Sequence, residues 1–125
     1  MKITRINHAA INCQGKWEET RVFYTQLLGI GTSPRPEFIE KAIGGCWLQL
    51  PNGQVHVIDA SYDGSPGAPV GPHVSYYVDN LAGAESELTS NGVTFTAAMG
   101  EGADRILWFT DPAGNTVELQ QDPEA

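Results

Sequence analysis

The sequence predicts an α+β chain in which two βαβββ repeats join into one curved, mixed β-sheet around a cavity. Three features of the chain carry that expectation. Strand-like and helix-like segments recur twice in the same order. The landmarks of the two halves keep a nearly constant separation: His8 to His73 is 65 positions, Gly29 to Gly92 is 63, His56 to Glu118 is 62 and Pro51 to Pro112 is 61. The polar candidates also fall on the more polar face of their strands, because successive strand residues alternate sides. Repetition of a supersecondary unit implies that the copies pack on one another, since one unit alone leaves a sheet face uncovered.

Ile3–Asn12 reads as a mixed apolar strand. Residues 18–28 carry Val22, Phe23, Tyr24, Leu27 and Leu28 near helical spacing, which places this cluster in the core, and Gly29 is a natural stop. A short strand at 30–35 is followed by a loop marked by Pro34 and Pro36. Residues 42–50 and 54–60 read as a hairpin turned by Pro51-Asn52-Gly53. The stretch 61–71 is rich in Gly, Pro, Ser and Ala and reads as a linker. The order then repeats: a strand at 72–78, a helix at 80–90 with Leu81, Ala84 and Leu88 on one side, a stop at Asn91-Gly92, and a strand at 93–97. A hairpin of 105–110 and 115–120 closes around the Asp111-Pro112-Ala113-Gly114 turn. The expectation is a single domain over 1–125, with halves at 1–60 and 72–121.

The 125 residues fit one domain, and 41% hydrophobic content permits a real core. The formal charge is −8, and the seven basic residues are scattered. With no basic cluster to track phosphates, nucleic acid and anionic membrane surfaces are not expected partners. No apolar run approaches a membrane span, and Met1-Lys2-Ile3-Thr4-Arg5 precedes no signal-type apolar stretch, so a cytoplasmic location is expected. Cys13 and Cys46 form neither a metal spacing nor a disulfide framework and read as reduced, partly buried thiols.

The chain has three histidines, His8, His56 and His73. Each half offers one ligand-type residue on its first strand and one on its last: His8 and His56, then His73 and Glu118. On strand alternation His8, Ala10 and Asn12 share a face, joined by Ile6, and His73 shares one with Ser75 and Tyr77. Three imidazoles and a carboxylate suit a divalent metal of the Zn, Ni, Co, Mn or Fe(II) type. For Trp47 and Trp108, on hairpin strands, both packing and a place in a pocket wall fit.

Four segments resemble the vicinal oxygen chelate superfamily: Ile6-Asn7-His8; Arg21-Val22-Phe23-Tyr24-Thr25-Gln26-Leu27-Leu28-Gly29; Pro72-His73-Val74-Ser75-Tyr76-Tyr77-Val78; and Asp111-Pro112-Ala113-Gly114-Asn115-Thr116-Val117-Glu118-Leu119. That superfamily includes glyoxalase I, bleomycin-resistance proteins, fosfomycin-modifying enzymes, extradiol dioxygenases and methylmalonyl-CoA epimerase. The resemblance spans the whole chain and implies the glyoxalase/bleomycin resistance/dihydroxybiphenyl dioxygenase-like fold around a metal cavity. It implies metal ligands at His8, His73 and Glu118, with His56 as a fourth, where relatives carry Glu or Gln. It also implies Glu40 as a proton-transfer base, at a separation from His56 like that of the epimerase base.

The leading expectation is a metal-dependent lyase or isomerase of glyoxalase I or epimerase type, moving a proton beside a carbonyl of a small-molecule substrate, with Glu118 or Glu40 as the proton carrier. An extradiol-type Fe(II) dioxygenase is the alternative. Two points weigh against it: a fourth ligand at His56 would fill a position its substrates need, and no histidine would remain as an acid–base. A third reading is a drug-binding protein of bleomycin-resistance type. The resemblance implies a homodimer, and the linker at 61–71 permits closure of the cup within a chain or by exchange of halves.

Overall fold

The computed structural model describes residues 1–98 and 105–125. The first half comprises β1 (Ile3–Asn12), α1 (Trp17–Val22) extended by a π-helical turn (Phe23–Leu27), β2 (Gly31–Ser33), α2 (Glu37–Ala42), β3 (Gly44–Leu50) and β4 (Gly53–Asp59). The second comprises β5 (His73–Val78), α3 (Leu81–Ser90), β6 (Thr96–Ala98), β7 (Ile106–Thr110) and β8 (Thr116–Gln121). The strands form one eight-stranded sheet in the order β2-β3-β4-β1-β5-β8-β7-β6. From the central antiparallel pair β1–β5, each half runs outward in the same pattern. Its first strand pairs in parallel with its last, and antiparallel hairpins follow. The sheet is mixed and curved, as the repeat and the family resemblance led one to expect, and it does not close into a barrel.

Local chemistry sets these elements. Asn80 caps α3 by accepting from the Gly83 N–H, and Leu81, Ala84 and Leu88 line its buried face at i, i+3 and i+7. That face packs on Val78, Leu107 and Leu119, one from each of β5, β7 and β8, all with side chains fully or almost fully buried. Truncating a leucine so enclosed costs about 2–5 kcal/mol. The turn before β8 is held by Asp111, whose carboxylate accepts from the N–H groups of Ala113 and Asn115 and from the Asn115 side chain. Gly114 supplies the positive φ of 88° that the turn requires.

The sheet departs from the sequence reading at identifiable places. Residues 18–28 are not one α-helix: Leu28 N–H reaches back five residues to Phe23 O, and the Thr25 hydroxyl donates to Arg21 O. Of the apolar cluster, Phe23, Leu27 and Leu28 stand at 47%, 71% and 51% exposure rather than in the core. Residues 37–42 are a helix where a loop was expected. Pro36 O accepts from the Ile39 and Glu40 N–H groups, and Glu37 and Lys41 pair across a turn at 2.9 Å. The strands at 30–35 and 93–97 are realised only as Gly31–Ser33 and Thr96–Ala98. A bulge at Asn7 gives Ile6 the partner Tyr76 and His8 the partner Ser75, so Ile6 leaves the face of His8.

The linker is fastened to the sheet. Asn12 Nδ2 donates to both Ala60 O and Val70 O, at 3.0 and 2.8 Å, and Gly67 N–H donates to Thr116 Oγ1. A Cβ at Gly71 would meet the Tyr62 ring at 2.5 Å, so a larger residue there would require that ring to move. No helix among the described residues is long and apolar enough to cross a membrane.

The chain end is tied back by Asp122, which is buried and accepts from Thr4 Oγ1 at 2.6 Å, Arg5 Nη2 at 2.9 Å and Glu124 N–H at 2.9 Å. The Arg5 guanidinium, Thr4 and that N–H hold the Asp122 carboxyl well below the usual carboxylate range. A depressed folded-state pKa gives stability that is fully present above the ordinary carboxylate pKa of about 3.9 and is lost as pH falls further. Asp122→Asn is therefore expected to melt at a lower temperature than the parent at pH 7, with the gap narrowing below about pH 4. Thermal melts across pH check this; an equal gap at pH 7 and pH 2 would contradict it.

Candidate metal centre

Cross-strand register brings the site together as two adjacent rows on the sheet face opposite α3. One row runs Gln54, His8, Ser75, Glu118, Trp108 across β4, β1, β5, β8 and β7. The next runs Trp47, His56, Ala10, His73, Thr116 across β3, β4, β1, β5 and β8. Residues paired in this way point to one face, and their Cβ atoms stand about 5 Å apart. The two central positions are small, Ser75 and Ala10, and both are buried. They leave a hollow over which the longer side chains of His8, His73 and Glu118 lean together.

His8, His73 and Glu118 are all buried, and one ligand atom from each lies within 4.8 Å of the others. The two Nε2 atoms face each other at 3.3 Å, and each lies 3.5 Å from a carboxylate oxygen of Glu118. Ligands around an ion with bonds of about 2.1 Å stand about 3.0–3.4 Å apart in octahedral or tetrahedral arrangement, so the donor set matches a small divalent cation. Surrounding groups fix the donors. His73 Nδ1–H donates to Gly71 O at 2.8 Å, which leaves the Nε2 lone pair directed inward. Trp108 Nε1–H donates to Glu118 Oε1 at 2.8 Å, and Gln120 Nε2 to Glu118 Oε2 at 2.9 Å. His8 Nδ1 is buried without a hydrogen-bond partner, as is Ser75 Oγ. Burial lowers the pKa of His8, with Glu118 opposing and His73 reinforcing the shift, so its imidazole is neutral at physiological pH, the state a metal requires.

His56 stands beside this group and is not part of it. Its ring is stacked between His8, with centroids 3.7 Å apart, and Trp47, at 4.2 Å. Its Nε2–H donates to Gln54 Oε1 at 2.9 Å. The sequence expectation made His56 a fourth ligand. In the structure its ring lies stacked against His8, and His56 falls outside the set of ligand atoms that lie within 4.8 Å of one another. Burial, with His8, His73 and Arg35 nearby, pushes its pKa down to about 2, so it too is a neutral imidazole.

Glu40 is not brought to the group either. It lies on α2 with 62% of its side chain exposed, its Oε2 bonded to Arg35 Nε at 2.7 Å, and that pairing lowers its pKa. A cavity of about 1080 Å³ opens over the ligand group. The ligand face forms one side, and Phe38, Ile39, Ile43 and Trp47 contribute apolar walls. Arg35 lines it; Glu40 does not.

Sequence reasoning singled out His8, His73 and Glu118, which the fold brings together, and missed the groups that hydrogen-bond to them. Gln120 was legible, being two residues beyond Glu118 on the same face of a strand. Trp108 needed the hairpin register, and Gly71 O and Arg35 carried no local signal.

The family model "Glyoxalase/Bleomycin resistance protein/Dioxygenase superfamily" matches residues 5–119. Among solved structures, a variant of Streptomyces coelicolor methylmalonyl-CoA epimerase in complex with 2-nitronate-propionyl-CoA superposes with a TM-score of 0.72 at 17% identity, covering 98% of this chain and 99% of that one. Methylmalonyl-CoA epimerase from Mycobacterium tuberculosis gives 0.70 at 20% identity, covering 98% and 91%. A hypothetical protein from Bacillus halodurans gives 0.71 at 13% identity, covering 97% and 96%. These likenesses concern the fold. No curated protein sequence matches.

Elemental analysis of protein purified without chelators is expected to find close to one divalent metal per chain, lost in His8→Ala, His73→Ala and Glu118→Ala. His56→Ala should keep the stoichiometry. Trp108→Phe, which frees one carboxylate oxygen, should weaken affinity by roughly 10–100-fold. Metal titration checks the series. A protein that takes up no Ni, Co, Zn, Mn or Fe(II) would favour a drug-binding role, and equal losses in His56→Ala and His73→Ala would restore His56 as a ligand.

Proposed function

Because the chain belongs to the glyoxalase/bleomycin resistance protein/dioxygenase superfamily, we propose that it is a divalent-metal-dependent lyase or isomerase that moves a proton next to a carbonyl of a small molecule. The observation that carries this reading is the convergence of three buried ligand atoms, from His8, His73 and Glu118 of one chain, on the wall of a cavity large enough for a metabolite. When bound, a divalent metal supplies a Lewis acid that polarises substrate oxygens and favours the negative charge left when a neighbouring carbon loses its proton.

The chain's own groups have separable parts in this proposal. His8, His73 and Glu118 hold the ion, and two neutral imidazoles with one carboxylate leave a net positive site that favours anionic oxygens. Trp108 and Gln120 each donate to one oxygen of the Glu118 carboxylate and would hold it in place both to ligate the ion and to take up a proton. Glu118 is therefore the preferred proton carrier over Glu40, whose carboxylate is turned to solvent and neutralised by Arg35. Apolar walls keep water from the reacting carbon. The exposed Phe23, Leu27 and Leu28 support the further proposal of a homodimer.

One observation favours a second reading, an extradiol-type Fe(II) dioxygenase. Two histidines and a carboxylate on one side of an ion, with the other positions open, suit non-haem Fe(II) oxygen chemistry. With His56 outside the ligand group, a neutral imidazole also remains beside those positions.

The two readings separate in one experiment. Metal-loaded protein is incubated with α-hydroxyketones, hemithioacetals and acyl thioesters in D₂O and followed by NMR, while catechols with the Fe(II) form are followed on an oxygen electrode. The expected result is deuterium exchange at the carbon next to the carbonyl, lost in Glu118→Ala and kept in Glu40→Gln, with no oxygen uptake. Catechol-dependent oxygen uptake that disappears in Glu118→Ala would replace the isomerase reading with the dioxygenase one. Exchange abolished in Glu40→Gln would return the base to α2.

A further inference from the structure

Two of the chain's seven basic residues, Arg5 and Arg35, line the cavity, and they are in different states. Arg5 is consumed by the protein. Its guanidinium bonds Asp122, lies 3.5 Å from Glu124 and covers the Tyr77 ring at 4.4 Å. Arg35 is enclosed, with only 5% of its side chain exposed, yet only its Nε is used, by Glu40. Among the described residues, neither Nη atom of Arg35 has a protein acceptor. Nor are these atoms sealed in, since the polar side-chain atoms found buried without a partner are His8 Nδ1 and Ser75 Oγ. Arg35 is thus a cavity-lining residue whose Nη donors are left without a protein partner among the described residues. A guanidinium held out of bulk water with idle N–H groups is costly unless something fills them, and its two parallel donors suit an oxyanion.

We propose that Arg35 receives a carboxylate at the end of the substrate remote from the oxygens that meet the ligand group, so that the enzyme acts on small carboxylic acids. This rests on the metal-chelating reading above. Carboxylate is favoured over phosphate because the neighbouring wall is Phe38, Ile39, Ile43 and Trp47, with no second cation, and Glu40 already offsets part of the Arg35 charge. A singly charged group is matched there; a doubly charged one is not.

The test is calorimetric binding of three 2-oxo acid probes to Co(II)-loaded and metal-free protein: 2-oxopentanoate, 2-oxoglutarate, which has a carboxylate in place of the terminal methyl, and 4-phosphono-2-oxobutanoate. The loaded protein is expected to prefer 2-oxoglutarate over 2-oxopentanoate on the order of tenfold or more, as a charge-assisted pair implies. Arg35→Gln should erase that preference while leaving metal content and 2-oxopentanoate affinity unchanged, and Arg35→Lys should restore part of it. Glu40→Gln, at an exposed position, should strengthen 2-oxoglutarate binding. No preference in the parent, a preference that survives Arg35→Gln, or no gain in Glu40→Gln would overturn the proposal. A phosphonate bound as tightly as the carboxylate would overturn the choice of carboxylate. If metal adds nothing to the binding of any probe while the Arg35-dependent preference persists, the chelation reading fails and the Arg35 assignment stands.

Discussion

The antiparallel pairing of β1 with β5 is the constraint on which the rest of the molecule depends. It joins the two repeats into one sheet and sets Ser75 opposite His8 and His73 opposite Ala10. With the parallel pairing of β5 and β8, it aligns His8, Ser75 and Glu118 in a single row. A slip of one residue would turn every one of these side chains to the opposite face and expose Val78 and Leu119 to the cavity. The bulge at Asn7 belongs to the same device, because it restores the phase of β1 just before His8.

Burying three ligand-type groups together is unfavourable in isolation. Two imidazole nitrogens face each other beside a carboxylate, and His8 Nδ1 and Ser75 Oγ have no hydrogen-bond partner. The second half carries the core that tolerates this cost, with Leu107, Leu119 and Val78 covered by α3 on the reverse face. The first half is looser, its helix leaving Phe23, Leu27 and Leu28 exposed. The sheet thus offers one side that holds His73 and Glu118 with their Gly71, Trp108 and Gln120 partners, and another where β2, α2 and β3 shape the cavity wall around Arg35.

Much of this was legible because it is written in short-range pattern. Strand alternation placed His8, His73 and Glu118 on one face, and the Asn80, Gly92 and Asp111 signals bounded α3 and the last hairpin. What escaped depends on pairing between distant segments or on competition within a turn. His56 occupies the repeat position equivalent to Glu118, yet its ring is stacked between Trp47 and His8, outside the His8, His73 and Glu118 group. Repeat symmetry does not record that. Glu40 is expected as a base only through the resemblance, by its separation from His56; the Pro36 start and the Glu37–Lys41 pair make a helix on which it meets Arg35 instead. Phe23, Leu27 and Leu28 had helical spacing, but the segment ends in a π-helical turn and these side chains stand exposed.

The central claim is that one chain gathers His8, His73 and Glu118 around a divalent ion and keeps His56 outside its ligand set. A crystal structure of the metal-loaded protein, with the anomalous signal recorded across the metal's absorption edge, tests it directly. The account predicts one anomalous peak per chain within bonding distance of His8 Nε2, His73 Nε2 and a Glu118 oxygen of the same chain, with the His56 ring still stacked on His8. A peak bonded to His56, or one completed by residues of two different chains, would contradict it.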